Sequence, residues 1–154
     1  MNFTHIKKNK ELKMVDISKK IRTSREAHAS GLIKFSKKTF EKITLDESPK
    51  GAIFNTAVLA GTIAAKRTHE LIPMCHNMNL SSININFNIN KKNSSLEIIS
   101  IIKSNSQTGV EMEALTACSV ACLTVYDMCK SFDKKIIIND IRLIYKNGGK
   151  SGEY

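Results

Sequence analysis

The sequence predicts an α+β sandwich, in which a four-stranded antiparallel sheet carries helices on one face. Residues 81–90 alternate apolar and polar side chains, and after a short turn residues 96–104 return, which is typical of a hairpin with one solvated face. Two longer segments are largely apolar and have the length of helices. With the flanking segments they give the order β-α-α-β-β-α-β, which favours a ferredoxin-like arrangement.

The first half of the chain contains one predicted strand and two predicted helices. Residues 24–35 place small and apolar side chains on one face at a period of two, so we predict a strand. Residues 36–45 form a short predicted helix with Ser36 as its N-cap. A predicted loop over 46–51 leads to a second, largely buried helix over 52–71.

The second half contains three predicted strands and the longest helix. After a loop over 72–79, residues 81–90 alternate apolar and polar side chains, the pattern of a strand with one wet face. Residues 96–104 return as its hairpin partner. A helix is predicted over 108–130 and a last strand over 136–146, followed by a glycine-rich tail.

The chain has 154 residues, the size of one domain, and we predict a flexible basic arm over 1–13 followed by a single domain over 14–154. The net charge of +10 raises the hypothesis of nucleic-acid binding. However, Trp is absent and aromatic residues make up only 6% of the chain. This composition argues against a single-strand binding surface.

Membrane and disulfide signals are also missing from the sequence. No run of about 18 apolar residues and no apolar leader occur, so we predict a cytoplasmic protein without a transmembrane helix. The four cysteines (Cys75, Cys118, Cys122 and Cys129) show no C-x-x-C spacing. Three of them lie on the apolar side of the long predicted helix, so we predict core thiols rather than metal ligands.

The same helix carries a polar stripe that its apolar composition does not explain. At about 100° per residue, Glu113, Thr116, Thr124, Asp127 and Lys130 fall within an arc of about 120°. Buried acids require partners or a function. Two interpretations therefore stay open, a functional site or an i, i+3 ion pair between Asp127 and Lys130.

Five segments resemble a known family in order and spacing: MVDIS (14–18), TSREAHASG (23–31), AAKRTHELIPMCH (64–76), TGVEMEALTACSVACLTVYDMCK (108–130) and GGKSG (148–152). They resemble cyclic pyranopterin monophosphate synthase, the molybdenum cofactor biosynthesis protein C family. The resemblance implies a lyase that converts a cyclised dihydro-GTP to cyclic pyranopterin monophosphate and releases pyrophosphate. It also implies a homohexamer, a trimer of dimers, with active sites between subunits, and no redox cofactor. The sequence contains no acid cluster with clear metal spacing, so we predict no metal site, and whether a divalent ion accompanies the triphosphate stays open.

The resemblance implies roles for individual residues. Lys50 and Lys130 are the acid–base candidates, with Asp127 orienting Lys130, and we expect burial or neighbouring cations to lower the lysine pKa. Glu113 would accept hydrogen bonds from the guanine-derived edge of the substrate. The other substrate-binding candidates are Met112, the loop residues Met74, Cys75 and His76, Glu111, Asp16, and the phosphate-binding cations Arg25, Lys66, Lys146 and Lys150.

Several of these residues also have interpretations that need no function. Glu111 suits a helix N-terminus and Lys66 a helix C-terminus because of the helix dipole. The segment at 148–152 is not a Walker loop, since Ile144 replaces its first glycine and no helix follows. It remains either a phosphate-binding segment or a disordered tail.

One departure from the family pattern follows His76, where Asn77-Met78-Asn79-Leu80 replace a proline-containing segment. Fewer prolines predict a looser loop. Two other functions compete with the implied one. A nucleic-acid-binding module would show a steep salt dependence of binding. A relative that has lost catalysis but assembles with partner enzymes would differ only in turnover.

Overall fold

The four strands pair into one antiparallel sheet in a computed structural model that describes residues 5–7, 9–44, 50–149 and 152–154, with the Lys50 side chain outside the description. The strands are β1 (Thr23–Lys34), β2 (Ser82–Asn90), β3 (Ser95–Ser106) and β4 (Ile137–Asn147). Their order in the sheet is β2-β3-β1-β4, and every pairing is antiparallel. The predicted α+β sandwich is confirmed.

The helices differ from the prediction at several boundaries. They are α1 (Lys37–Thr44), α2 (Lys50–Lys66), α3 (Thr68–Leu71) and α4 (Glu111–Cys129). The single helix predicted over 52–71 is divided at Arg67, whose φ of −111° is not helical. Residues 50–51 of the predicted loop belong to α2, the rest of that loop lies outside the described residues, and α4 begins three residues later than predicted.

The N-cap predicted for the first helix is confirmed. The Thr39 N–H donates to Ser36 Oγ at 3.4 Å, and the Phe40 N–H donates to the Ser36 carbonyl at 2.9 Å. A serine hydroxyl in this position satisfies a donor that the helix itself cannot.

The core lies between the sheet and the layer formed by α2 and α4. Cys118, Cys122 and Cys129 are fully buried there as free thiols, as the sequence predicted. Gly31 of β1 faces two of them, and a Cβ at this position would lie 2.8 Å from Cys122 Sγ. The missing side chain therefore allows α4 to pack closely on the sheet.

The two long helices run antiparallel. α2 connects the parallel strands β1 and β2, and α4 starts from β3, which runs in the opposite direction. They approach closely at Gly61, where a Cβ would lie 2.9 Å from the Ala117 carbonyl oxygen. The start of α2 therefore lies beside the end of α4, and the end of α2 beside the start of α4.

α4 is also long and apolar enough to cross a membrane by length and composition, with a mean hydropathy of 1.2. The sequence analysis expected no such segment. Half of the helix is buried against the sheet and α2. The helix therefore lies where a core helix lies. Core helices also meet the criteria of length and composition that a membrane-spanning helix meets.

Residues 5–7 and 9–13 form a small local turn. Ile6 and Leu12 form an isolated bridge, and Lys7 Nζ lies 2.7 Å from Glu11 Oε2. These side chains are exposed. The division into an arm over 1–13 and a domain over 14–154 stays a prediction.

Candidate active site

A cleft of about 780 Å³ lies at the N-terminal end of α4. It is bounded by the segment before β1, the start of β1, the loop before α4 and the end of β4. Its lining includes three of the predicted substrate-binding residues, Arg25, Glu111 and Lys146. It also includes Lys19, Lys20, Ile21, Thr23, Glu26, Gln107, Thr108, Gly109, Asn147, Gly148 and Gly149.

Two cations in this cleft are held in place but remain partly accessible. Lys146 Nζ donates to Glu111 Oε1 at 3.3 Å, and about a third of each side chain is exposed. The Arg25 guanidinium donates to the carbonyls of Ser106 and Gln107, both at 3.4 Å. Neither carbonyl neutralises the guanidinium, so an incoming anion would meet a positioned positive charge.

The segment that follows β4 closes over Arg25 because its first two residues are glycines. Gly148 and Gly149 have φ values of 102° and 80°, in the region that favours glycine. A Cβ on Gly148 would clash with the Ser24 carbonyl, and one on Gly149 would clash with the Arg25 guanidinium. The backbone of this segment therefore lies directly against the cation. Lys150 lies outside the described residues.

Glu113 is the most buried acid of the predicted site, with only 4% of its surface exposed. Burial raises its pKa to about 7, and the nearby charge of Glu111 adds to the increase. At neutral pH the carboxyl group therefore exists in both its protonated and ionised forms. Such a group can donate or accept a hydrogen bond, or transfer a proton.

The predicted loop residues lie near this end of α4. Burial raises the pKa of the Cys75 thiol, and the charge of Glu113 raises it further. On the other side of the loop, a hydrogen bond from the Ser18 N–H at 2.9 Å lowers the pKa of Asp16, with a smaller electrostatic contribution from His76. Cys75 and His76 are consecutive residues of this loop. Cys75 therefore lies within electrostatic range of Glu113, and His76 within electrostatic range of Asp16.

The chain after His76 is anchored although the family prolines are missing. Met78 and Leu80 pack against the core, and the Ser104 hydroxyl donates to the Asn79 carbonyl at 2.7 Å. Any loosening caused by the lost prolines is therefore confined to the part of the loop before Met78.

The remaining binding candidates also lie at this end. Met112 follows Glu111 in the first turn of α4 and is 37% exposed. Met74 precedes Cys75 and is half-buried. Lys66 is exposed at the end of α2, which lies beside the start of α4 because the two helices are antiparallel.

The catalytic candidates lie at the other end of the helix layer. Lys130 Nζ donates to Asp127 Oδ1 at 2.6 Å, so the ion pair predicted as an alternative is present. The Lys130 side chain is 59% exposed and the Asp127 side chain 68% exposed. The polar stripe of α4 is therefore buried at Glu113 but exposed at Asp127 and Lys130. The hydrogen bond that Lys130 donates to Asp127 raises the pKa of Lys130, whereas we expected a lowered pKa. The backbone of Lys50, at the start of α2, lies at this same end.

The binding candidates at the start of α4 and the catalytic candidates at its end are too far apart to form one pocket within a single chain. α4 contains 19 residues, and a rise of about 1.5 Å per residue gives a length of about 28 Å. Glu113 and Asp127 are separated by about 21 Å along its axis on the same basis. One chain thus brings the binding candidates together at one end and the catalytic candidates together at the other.

Sequence analysis missed several residues of the cleft. Lys19 and Lys20 line it, but the first 50 residues contain 13 Lys and Arg, so no local pattern distinguished these two. Gln107 precedes the quoted segment at 108–130 and has no motif of its own, and Thr108 begins that segment without having been named as a site residue. Among the described residues, no group of three or more His, Cys, Asp or Glu side chains could hold a metal ion.

The fold and the cleft define an α+β sandwich protein with an acid- and cation-lined small-molecule site at one end of its helix layer. The sequence profile of the MoaC family matches residues 14–149, and the chain belongs to this family. Proteins called cyclic pyranopterin monophosphate synthase are 47% identical in Clostridium acetobutylicum (99% of this chain and 94% of the relative) and 47% identical in Heliobacterium modesticaldum (98% and 95%). A protein of the same name in Trichodesmium erythraeum is 48% identical over 99% of this chain and 92% of its own length.

Proposed function

We propose that this chain is a cyclic pyranopterin monophosphate synthase of molybdenum cofactor biosynthesis, a lyase that converts cyclised dihydro-GTP to cyclic pyranopterin monophosphate and pyrophosphate. The observation that carries the proposal is the clustering of the predicted binding residues at one end of α4 in a member of the MoaC family. We also propose that it acts in the cytoplasm without a cofactor and without a nucleic-acid or membrane partner.

The cleft suits a triphosphate. Arg25 and Lys146 present partly exposed cations there, and Lys66 adds a third at the neighbouring end of α2. Closure of a cyclic phosphate forms a new P–O bond at the α-phosphorus and breaks its bond to the departing pyrophosphate. Cations next to these oxygens would stabilise the negative charge that develops in this step.

Glu113 suits the guanine-derived part of the substrate. Ring nitrogens and amino groups donate hydrogen bonds that an ionised carboxylate accepts, and a protonated carboxyl can return a proton. The buried position of Glu113 and its pKa of about 7 support either role. We propose that Met112, Cys75 and His76 complete the walls of this subsite, with Met74 and Asp16 around it.

Acid–base catalysis is assigned to Lys50, Asp127 and Lys130. The raised pKa of Lys130 keeps it protonated at neutral pH in the isolated chain, so its first task would be to donate a proton or to neutralise an anion. Asp127 holds the ammonium group at 2.6 Å and thereby orients it. Lys50 would act from the neighbouring end of α2.

We propose that a second copy of the chain brings the binding residues of one subunit to the acid–base residues of the other, in a homohexamer built as a trimer of dimers. In the isolated chain these two sets of residues lie at opposite ends of α4, whereas catalysis requires them around one substrate. If two copies pack with their α4 helices antiparallel and the two-fold axis near Ser119 and Val120, Asp127 of the partner subunit lies opposite Met112. Each dimer would then contain two complete sites.

The exposed side of the helix layer supports such a contact. Leu59 and Ile63 of α2 are 61% and 46% exposed, and Leu123 of α4 is 57% exposed. No charged residue occurs in the sequence from 51 to 65 or from 114 to 126. A helix face without charges is unusual for a permanently solvated surface and suits a subunit interface.

The first experiment is product formation from enzymatically generated cyclised dihydro-GTP, with pyrophosphate and the oxidised, fluorescent pterin followed together. We expect both to appear with the wild-type protein. Binding of the substrate without either product would instead indicate a relative that has lost catalysis. Binding of nucleic acid with a steep salt dependence, and no turnover, would contradict the proposal.

Complementation tests the shared site. Arg25→Ala and Asp127→Asn each lose activity alone, but a mixture dissociated and reassembled together should recover up to about a quarter of wild-type activity, because half of the randomly formed dimers carry one intact site. The matched control mixes Asp127→Asn with Lys130→Ala. These residues belong to the same half-site, so we expect no recovery, and recovery in the control would rule out the arrangement.

The interface has its own test. Leu123→Glu places a charge on the uncharged face and should reduce the assembly mass measured by light scattering, with loss of turnover. Ile137→Glu is the matched control, since Ile137 is 55% exposed at the start of β4, away from this face. An unchanged assembly in Leu123→Glu would contradict the proposed interface.

A further inference from the structure

The turn that follows Lys130 contains the second buried acid of the described chain. Asp133 is 6% exposed, although it lies only three residues beyond Lys130 in a polar segment. A buried carboxylate needs hydrogen-bond donors to offset its lost hydration. Its partners therefore indicate what the residue does.

Asp133 connects two parts of the chain. Its Oδ2 accepts the Ser36 N–H at the start of α1 at 2.8 Å, and its Oδ1 accepts the Lys135 N–H of its own turn at 2.8 Å. Hydrogen bonding with the Ser36 side chain, and then with the Ser36 N–H, lowers the pKa of Asp133 in spite of burial. Each oxygen thus has a separate backbone donor, and the two donors belong to different elements.

A second contact links the same two parts. The Lys42 ammonium of α1 lies 3.9 Å from the centre of the Phe132 ring. Within the turn, the N–H groups of Phe132 and Asp133 donate to the Cys129 carbonyl at 2.9 and 3.2 Å. The turn from Lys130 to Lys135 is therefore fixed both to the end of α4 and to α1.

We propose that Asp133 is a positioning residue for Lys130, because its carboxylate clamps the turn after α4 to the start of α1. This inference rests on the proposed function, in which Lys130 is an acid–base residue. The clamp fixes the turn directly after Lys130 to α1 and thereby limits where the lysine can lie. Misplacement of a catalytic group by about 1 Å can reduce the rate by about 100-fold.

The test is Asp133→Asn. An amide has one acceptor oxygen and an NH₂ group, so one of the two backbone donors loses its acceptor. We expect kcat to fall by about 10- to 100-fold with KM within about twofold, since the binding residues lie at the other end of α4. Hydrogen exchange of the amides in 130–135 should become faster.

Glu41→Gly is the matched control. Glu41 is exposed on α1 with Lys37 as its ion-pair partner, and a glycine inside a helix weakens that helix. The variant should therefore disturb α1 without removing a partner of Asp133, and kcat should change by less than about threefold. Equal losses of kcat in the two variants would mean that α1 stability alone matters and would overturn the proposal.

The remaining outcomes separate this inference from the proposed function. A wild-type protein that forms no product refutes the proposed function, and the catalytic meaning of the clamp with it. An active wild type with unchanged exchange or unchanged kcat in Asp133→Asn refutes the clamp alone.

Discussion

The two ends of α4 differ in how far a single chain completes them. At the start of the helix, Glu113 is 4% exposed, and Arg25 and Lys146 are already held in a cleft. At its end, Asp127 and Lys130 form a pair that is mostly exposed. Burial has raised the pKa of Glu113 to about 7. The pKa of the exposed Lys130 is raised mainly by its hydrogen bond to Asp127. The binding end is thus preformed, while the catalytic end lacks the surroundings that would tune it.

The largest expected effect is on catalysis at the exposed end. Lys130→Ala should reduce kcat by about 10²- to 10⁴-fold, the usual contribution of a positioned acid or base. The free energy of unfolding should change by less than about 0.5 kcal/mol, because an exposed side chain contributes little to stability. Turnover assays and urea denaturation measure the two quantities.

The control for this prediction is Lys134→Ala, which changes an exposed lysine in the same turn and should retain activity. A near-normal rate in Lys130→Ala would remove Lys130 from the mechanism.

The second effect concerns stability at the buried end. The folded-state pKa of Glu113, about 7, lies above its ordinary value of 4.5. Its contribution to stability is therefore fully present below pH 4.5 and is lost as the pH rises through 7. The gap corresponds to about 3 kcal/mol. Glu113→Gln should remove this decline.

Denaturant unfolding at pH 5 and pH 8 checks this prediction at one fixed protein concentration, because assembly also affects stability. Glu41→Gln, an exposed glutamate on α1, is the control. If wild type and Glu113→Gln lose the same stability between the two pH values, the carboxyl group does not titrate as inferred.

A smaller effect is expected for the cations of the cleft. Arg25→Lys keeps the charge but loses the planar guanidinium that binds two oxygens at once. We expect KM to rise about tenfold with kcat nearly unchanged, because the group binds the substrate but does not react. Lys34→Gln, an exposed cation at the far end of β1, should leave both parameters unchanged. A loss in kcat alone would assign Arg25 to the chemical step instead.

The smallest effect is expected for the arm. The ion pair that the structure describes there, Lys7–Glu11, is exposed, and such pairs contribute little to stability. Deletion of residues 1–13 should therefore leave the urea midpoint of unfolding and turnover unchanged. A large loss of stability in urea denaturation would move the domain boundary towards the N-terminus.

Sequence reasoning succeeded where the relevant interactions are local. The Ser36 cap follows from one residue and its helix, and the strand at β2 follows from strict alternation. It failed to notice that the candidate catalytic and binding residues of α4 face different surroundings. The helical rise of about 1.5 Å per residue could have shown the separation of Glu113 and Asp127, because both lie in one predicted helix. No comparable signal existed for Asp133.

The sequence by itself determined the elements, their order and the family, because periodicity and spacing are properties of neighbouring residues. Only the tertiary structure decided which charges are buried, since burial depends on elements that are distant in the chain. Glu113 and Asp127 look equivalent on a helical wheel, yet the first is 4% exposed and lies within electrostatic range of Cys75, whereas the second is 68% exposed. Desolvation therefore raises the pKa of Glu113.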